Sequence, residues 1–217
     1  MNAVSVFDEY AQEYDRWFDE NQRVYQSEVD ALRRFIPLMG VGIEIGVGTG
    51  RFAVPCGIKI GIDPSEPMAQ IAKSRGMAVC RAVGERLPFR NDQFDFVLLV
   101  TVICFVEDPS TLLREARRVL KPGGRIIIGF IDRNSTLGQL YESRKDSDKF
   151  YRHARFYSVA EVAERARQAG FVALQFCQTI FGIPGETTET EEIRDGFGEG
   201  AFVVLSAERK GEKNNGR

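Results

Sequence analysis

The feature that most restricts the fold is a short apolar run, VGIEI over 41–45, passing straight into Gly46-Val47-Gly48-Thr49-Gly50. Glycines at alternate positions strip side chains from a tight strand-to-helix turn, so a ligand can approach the backbone closely. Further apolar runs follow at 58–62, 77–82, 94–100 and 125–131. Between them lie helical segments. Residues 65–75 read as a helix ended by Gly76, and Asp108 caps a second that opens at Pro109 and is stopped by Lys121-Pro122-Gly123-Gly124. Short strands alternating with amphipathic helices predict an α/β fold, a parallel sheet with helices on both faces, and a ligand crevice beyond the carboxyl end of the first strand.

The flanks of this unit are different. Phe7, Tyr10, Tyr14, Trp17 and Phe18 recur at three- and four-residue steps, as do Val29, Leu32 and Ile36, so 3–37 reads as a helical unit stopped by Pro37 and Gly40. Residues 1–37 are expected to form an N-terminal helical lid and 38–209 the α/β domain, with 210–217 a solvated tail. Ser158 and Glu161 form a capping box for a helix ended by Gly170. The runs 171–181 and 200–209 have no helix-length pattern between them, which suits an antiparallel pair. Residues 132–157 are a long polar and aromatic insertion on the acceptor side, of a length that usually carries function.

Composition removes several classes. The net charge is −2 and charged residues make up 28%, so no basic stripe points to nucleic acid as a partner. No apolar run approaches the roughly 20 residues of a membrane span, and the first residues lack a secretory signal pattern. Cys56, Cys80, Cys104 and Cys177 lie far apart, which suits neither a zinc site nor a disulfide framework. Reduced, mostly buried thiols in a cytoplasmic protein are expected.

Asp63 closes the second strand, placed to accept hydrogen bonds from a ribose diol. A glycine turn with a carboxylate at the neighbouring strand end reads as an adenosine half-site. A dinucleotide fingerprint would require glycine where this chain has Arg51. The pattern present is E-x-G-x-G-x-G, from Glu44 to Gly50. A carboxylate at that strand end repels pyrophosphate and suits a ligand carrying ammonium and sulfonium charges. The residues therefore favour S-adenosylmethionine over NAD.

Four stretches carry a family resemblance: GIEIGVGTGRF, GIDPSEPM, GERLPFRNDQFDFVLLV and LLREARRVLKPGGRIII. Together and in this order they resemble a class I S-adenosylmethionine-dependent methyltransferase of the small-molecule, type 11-like kind. The resemblance implies a Rossmann-like seven-stranded sheet with an antiparallel last strand, and S-adenosylhomocysteine as product. It also implies that Glu44, Gly46, Gly48 and Gly50 floor the methionine moiety, that Asp63 binds the ribose and that Met68 packs on adenine. Gly84 and Glu85 would follow the adenine edge, with Thr101 and Val102 on the methionine side. Many relatives carry aspartate just before the position of Gly84, and here it is Val83, so either Glu85 or backbone takes the adenine amino group, or adenine is held more loosely.

For the chemistry, candidates for proton handling or substrate contact are His153, the only histidine, Asp132 at the end of the fifth strand, and Tyr14. Cys104 stands where a thiolate could act, though its VICFV surroundings favour a buried structural thiol. Arg144, Arg152 and Arg155 could clamp an anionic acceptor, or form a solvated face. A covered chamber and a non-basic surface favour a small-molecule methyl acceptor. An NAD-type oxidoreductase and a non-catalytic cofactor-binding module are the alternative readings.

Overall fold

The computed structural model describes residues 3–182 and 190–211. The expected tail therefore lies, from residue 212 onward, outside the described residues. Three helices lead: α1 (Ala3–Glu9), α2 (Ala11–Glu20) and α3 (Gln22–Arg33). The α/β part follows as β1 (Gly42–Ile45), β2 (Ile60–Asp63), α4 (Glu66–Ser74), β3 (Ala78–Arg81), β4 (Phe94–Val100), α5 (Pro109–Val119) and β5 (Leu120–Ile131). Then come α6 (Thr136–Arg144), α7 (Val159–Gln168), β6 (Phe171–Thr179), β7 (Arg194–Asp195) and β8 (Phe202–Arg209), with single 3₁₀ turns at Lys145–Ser147 and Tyr151–His153.

The sheet runs β3-β2-β1-β4-β5-β8-β6-β7. Strands β1 to β5 pair in parallel, and β8 runs antiparallel to both β5 and β6. Strand order reverses at β1, between β2 and β4, so the crevice of an open α/β sheet falls at the carboxyl ends of β1 and β4. Along β4 the side chains alternate. Phe96, Leu98 and Val100 join the core beneath α2 and α3, whereas Val97 and Leu99 join the core beneath α5 and α7. Both faces are thus buried, which is why the central strands read as unbroken apolar runs.

The structure differs from the expectations in strand count and in the start of the fifth strand, and adds detail in two other segments. The sheet has eight strands rather than seven, the addition being two-residue β7 on the edge beside β6. The segment 3–37 is three helices. Asn21 ends α2 by donating both its backbone N–H and its side-chain amide to the Trp17 carbonyl, the local competition that makes Asn a helix breaker. The Lys121–Gly124 stretch does not precede β5 but lies within it: Leu120 pairs with Phe94 and Arg125 with Phe96, and the residues between bulge outward. Finally, the 132–157 insertion contains α6, capped by the Ser135 hydroxyl, which accepts from the Gly138 N–H at 3.0 Å.

The caps of α5 and α7 form as expected. Asp108 accepts from the Ser110 and Thr111 N–H groups, and Ser158 and Glu161 make the reciprocal capping box. Cys56, Cys104 and Cys177 are buried and Cys80 is exposed, all as free thiols. Among the described residues no helix is long and apolar enough to cross a membrane.

Candidate active site

A cleft of about 800 Å³ opens at the carboxyl ends of β1, β2 and β4, within the usual range for small-molecule sites. The glycine turn forms one wall. Gly46 and Gly48 adopt φ of +70° and +52°, values that L side chains adopt reluctantly. A Cβ on Gly48 would meet only Tyr14 Cε1, at 3.8 Å, so the turn offers open backbone beneath the Tyr14 ring.

Asp63 braces this turn. Its Oδ2 accepts from the Gly48 N–H and its Oδ1 from the Ser65 N–H, each at 2.8 Å. A carboxylate has about four lone-pair positions, so both oxygens can accept further bonds from the cleft that Asp63 lines. Burial raises its carboxyl to about 6, against the lowering effect of those two N–H groups.

Two more carboxyls lie unneutralised nearby. Glu44 is buried beneath the turn and its Oε2 has no hydrogen-bond partner. Burial, with Asp63 adding to it, holds the Glu44 carboxyl well above its ordinary value. Glu28 on α3 is raised to about 8 by burial alone. Burial together with these three carboxyls keeps the Tyr14 hydroxyl protonated far above its usual range, so Tyr14 can donate a hydrogen bond but not serve as a base. Glu85, Glu107 and Asp108 add acidic groups to the lining. Such a cleft is complementary to a cation.

The sequence-predicted residues divide clearly. Gly46, Gly48, Asp63, Met68, Gly84, Glu85, Thr101 and Val102 line the cleft, as do Tyr14 and the exposed His153. Glu44 lies one layer below. Gly50 is outside the lining and faces α4 and the chain leading to β3, where an added Cβ would sit 2.9 Å from Met77 Sδ. Asp132 is also outside the lining. Its Oδ1 accepts from the Asn134 N–H at 3.1 Å, and it shapes the turn into α6. Cys104 lines the cleft as a neutral thiol, raised to about 12 by burial, and donates to the Thr101 carbonyl. Of Arg144, Arg152 and Arg155 only Arg155 reaches the lining, beside Tyr157.

Sequence reasoning missed Phe105, the backbone strain at Thr101 and the ion pairs of Arg51. Phe7 and Phe105, in edge-to-face contact at 5.1 Å, form an apolar wall. Thr101 is β-branched yet held at φ +52°, the kind of strain that concentrates at functional sites. No periodicity or spacing signals such a backbone. In the sequence Arg51 signals only the absence of the third dinucleotide glycine. It fastens α2 to the turn, bonding Asp15 at 2.9 Å and Asp19 at 2.7 Å, while Arg75 joins Asp15 at 2.8 Å and the Thr49 carbonyl at 2.6 Å. Because α2 carries Tyr14 across Gly48, Arg51→Ala is expected to speed release of a ligand from the turn by about threefold to tenfold, equivalent to ~0.7–1.4 kcal/mol of latch. Stopped-flow displacement would measure it, and an unchanged off-rate would show that α2 does not gate the site.

Residues 43–128 match the family described as a methyltransferase domain. An uncharacterised protein of Methanocaldococcus jannaschii is 52% identical over 206 residues, covering 95% of this chain and all of that one. The crystal structure of an S-adenosylmethionine-dependent methyltransferase of Thermotoga maritima, described as a "possible histamine N-methyltransferase", superposes with a TM-score of 0.93 at 48% identity, covering 95% of this chain and 99% of that one. A demethylmenaquinone methyltransferase of Streptomyces avermitilis is 30% identical over 142 residues, 58% of each chain. With its glycine turn, its strand-end carboxylate and these relatives, the chain belongs to the class I S-adenosylmethionine-dependent methyltransferases. The cofactor of that family is S-adenosylmethionine and the product S-adenosylhomocysteine.

Proposed function

We propose that this protein transfers the methyl group of S-adenosylmethionine to a small-molecule acceptor by in-line displacement. One observation carries the reading: the open glycine turn and Asp63 wall a cleft of cofactor size, over the partnerless Glu44 oxygen, in which Asp63, Glu85, Glu107 and Asp108 outnumber the one arginine, Arg155. The cofactor supplies a methyl already activated on a positively charged sulfur. What remains for the protein is to hold both reactants in line and exclude water, an effect that can lower a barrier by roughly 7–11 kcal/mol.

In this reading the Gly46–Gly48 backbone seats the methionine part above Glu44, and Asp63 takes the ribose hydroxyls on its free lone pairs. Met68, which is fully buried, packs on adenine, with Gly84 and Glu85 along its edge. Glu85 Oε1 already accepts from the Glu107 N–H at 3.1 Å. Its second oxygen serves the adenine amino group. Thr101 and Val102 bound the methyl side, where Tyr14 donates a hydrogen bond and the Phe7–Phe105 wall keeps water out. His153 at the cleft edge accepts a proton when the acceptor must lose one.

Asp63→Ala tests the arrangement. Cofactor affinity should fall at least tenfold, about 1.4 kcal/mol. Stability should fall by roughly 1–3 kcal/mol, because the Gly48 and Ser65 N–H groups lose their acceptor. Calorimetry with S-adenosylhomocysteine, and with NADH for comparison, checks the first. Unchanged affinity in the variant would remove Asp63 from the ribose site. Release of S-adenosylhomocysteine on incubation with pools of small acceptors separates turnover from mere binding.

A further inference from the structure

Arg155 lines the large cleft and is not used by the cofactor site described above. Its guanidinium forms no hydrogen bond or ion pair among the described residues. Three carboxylates that share the lining already have partners. Asp63 braces the glycine turn, Glu85 accepts from the Glu107 N–H at 3.1 Å, and Asp108 caps α5. The Arg155 backbone is itself anchored. Its N–H donates to the Cys104 carbonyl at 2.8 Å, and its neighbours Ala154 and Phe156 are buried. A fixed backbone thus carries an unpaired cation into an acid-rich cleft.

A second guanidinium adds to this charge. Tyr157 is buried, and both Arg155 and Arg165 lie over its ring, 5.3 and 5.2 Å from the centroid. Arg165, on α7, has no carboxylate partner among the described residues either. It donates to the Ser110 hydroxyl at 3.3 Å, and its Nε is buried without a partner. Two like charges on one ring repel, and nothing within ion-pair distance neutralises either. An arginine that stacks on a ring keeps its N–H donors for another partner.

The position of this cation matters as much as its freedom. Cys104, to which the Arg155 N–H is bonded, donates its thiol to the Thr101 carbonyl, so Arg155 is tied to the methyl-facing end of the cleft. The Phe7–Phe105 wall and His153 line the same cleft. We propose that Arg155 anchors the methyl acceptor, with Arg165 on the shared ring adding to its field, and that the acceptor carries an anionic oxygen group, carboxylate or phosphate, on an apolar body. This rests on the methyl-transfer reading of the cleft and adds the chemical class of the acceptor. The planar fork of N–H donors matches either oxyanion in a bidentate pair. The surrounding carboxylates repel an anion from the rest of the lining, so one arginine sets the acceptor's orientation as well as its class. The atom that receives the methyl can be elsewhere in the molecule.

Calorimetry on the full chain saturated with S-adenosylhomocysteine tests this, with phenylacetate beside phenylacetamide and phenyl phosphate beside phenol. At least one anion should bind about tenfold or more tighter than its neutral counterpart, and which one does so separates carboxylate from phosphate. Arg155→Gln should erase that preference and Arg155→Lys should keep part of it. Both should leave S-adenosylhomocysteine affinity within about twofold. Equal binding of anions and neutral counterparts in the wild type, or no binding of any, overturns the subsite without recourse to a variant. Anion preference that survives in Arg155→Gln also overturns it. Weaker S-adenosylhomocysteine binding in Arg155→Gln, beyond that twofold, would assign the guanidinium to the cofactor's own carboxylate and overturn the acceptor anchor. Failure of the wild type to bind S-adenosylhomocysteine at all would overturn the cofactor reading beneath it, an outcome distinct from the others.

Discussion

Gly48→Asn is expected to lower affinity for S-adenosylmethionine at least a hundredfold, about 2.7 kcal/mol, while the protein stays folded. Gly48 has φ +52°, and Asn is among the few residues that adopt this region readily. A Cβ there would touch nothing nearer than Tyr14 Cε1 at 3.8 Å, so the new side chain has room. The room it fills is the crevice itself, and the Gly48 N–H can keep its bond to Asp63. Gly46→Ala should behave in the opposite way. There φ is +70° and the added carbon would sit 2.3 Å from Val102 Cγ2, so the loss should appear first in stability. Titration calorimetry and thermal unfolding of both variants would measure the two effects. Wild-type affinity in Gly48→Asn would show that the turn does not floor the cofactor.

Much of this site was legible because it is local in sequence. The E-x-G-x-G-x-G run and Asp63 sit at consecutive strand ends, and parallel β1–β2 pairing, Ile45 opposite Ile62, brings those ends together. Asp108 and Ser158 were readable as caps because a cap contacts residues two or three positions on. What escaped depends on distant segments meeting. Arg51 signals nothing by itself, and its role appears only when Asp15 and Asp19 arrive from α2. Glu28 sits in an ordinary amphipathic helix, QRVYQSEVDALR, where a glutamate reads as solvent-facing. Its burial depends on where α3 settles against the sheet and where the insertion folds back. Asp132, which its strand-end position suggests for chemistry, lies outside the cleft lining, and its Oδ1 accepts from the Asn134 N–H of the following turn. α6 is hard to read because its apolar side is only Leu137, Leu140 and Tyr141 within a polar stretch, and its start depends on the Ser135 cap.

Glu28→Gln should make the protein more stable at neutral and alkaline pH and change it little near pH 4. A carboxyl whose folded pKa lies above its unfolded one takes up a proton on folding. Its contribution therefore declines as pH rises from the unfolded value through the folded one. For Glu28 that window runs from the ordinary 4.5 to about 8. Burial alone raises it, with no cation offsetting its ionisation. Linkage puts the stability lost between pH 5 and 8 at roughly 3 kcal/mol, or roughly 6–12 °C in Tm for a chain of this size. Asp63, raised from 3.8 to about 6, and Glu44 act with the same sign. Asp15 acts oppositely: against burial, Arg51 and Arg75 hold it below its ordinary value, so its contribution is lost only in acid. Wild-type stability should therefore peak near pH 5, and the variant should lose most of the decline above it. Thermal unfolding from pH 4 to 9 measures the difference. Parallel curves for the two proteins would mean that Glu28 reaches solvent and is not the source of the pH sensitivity.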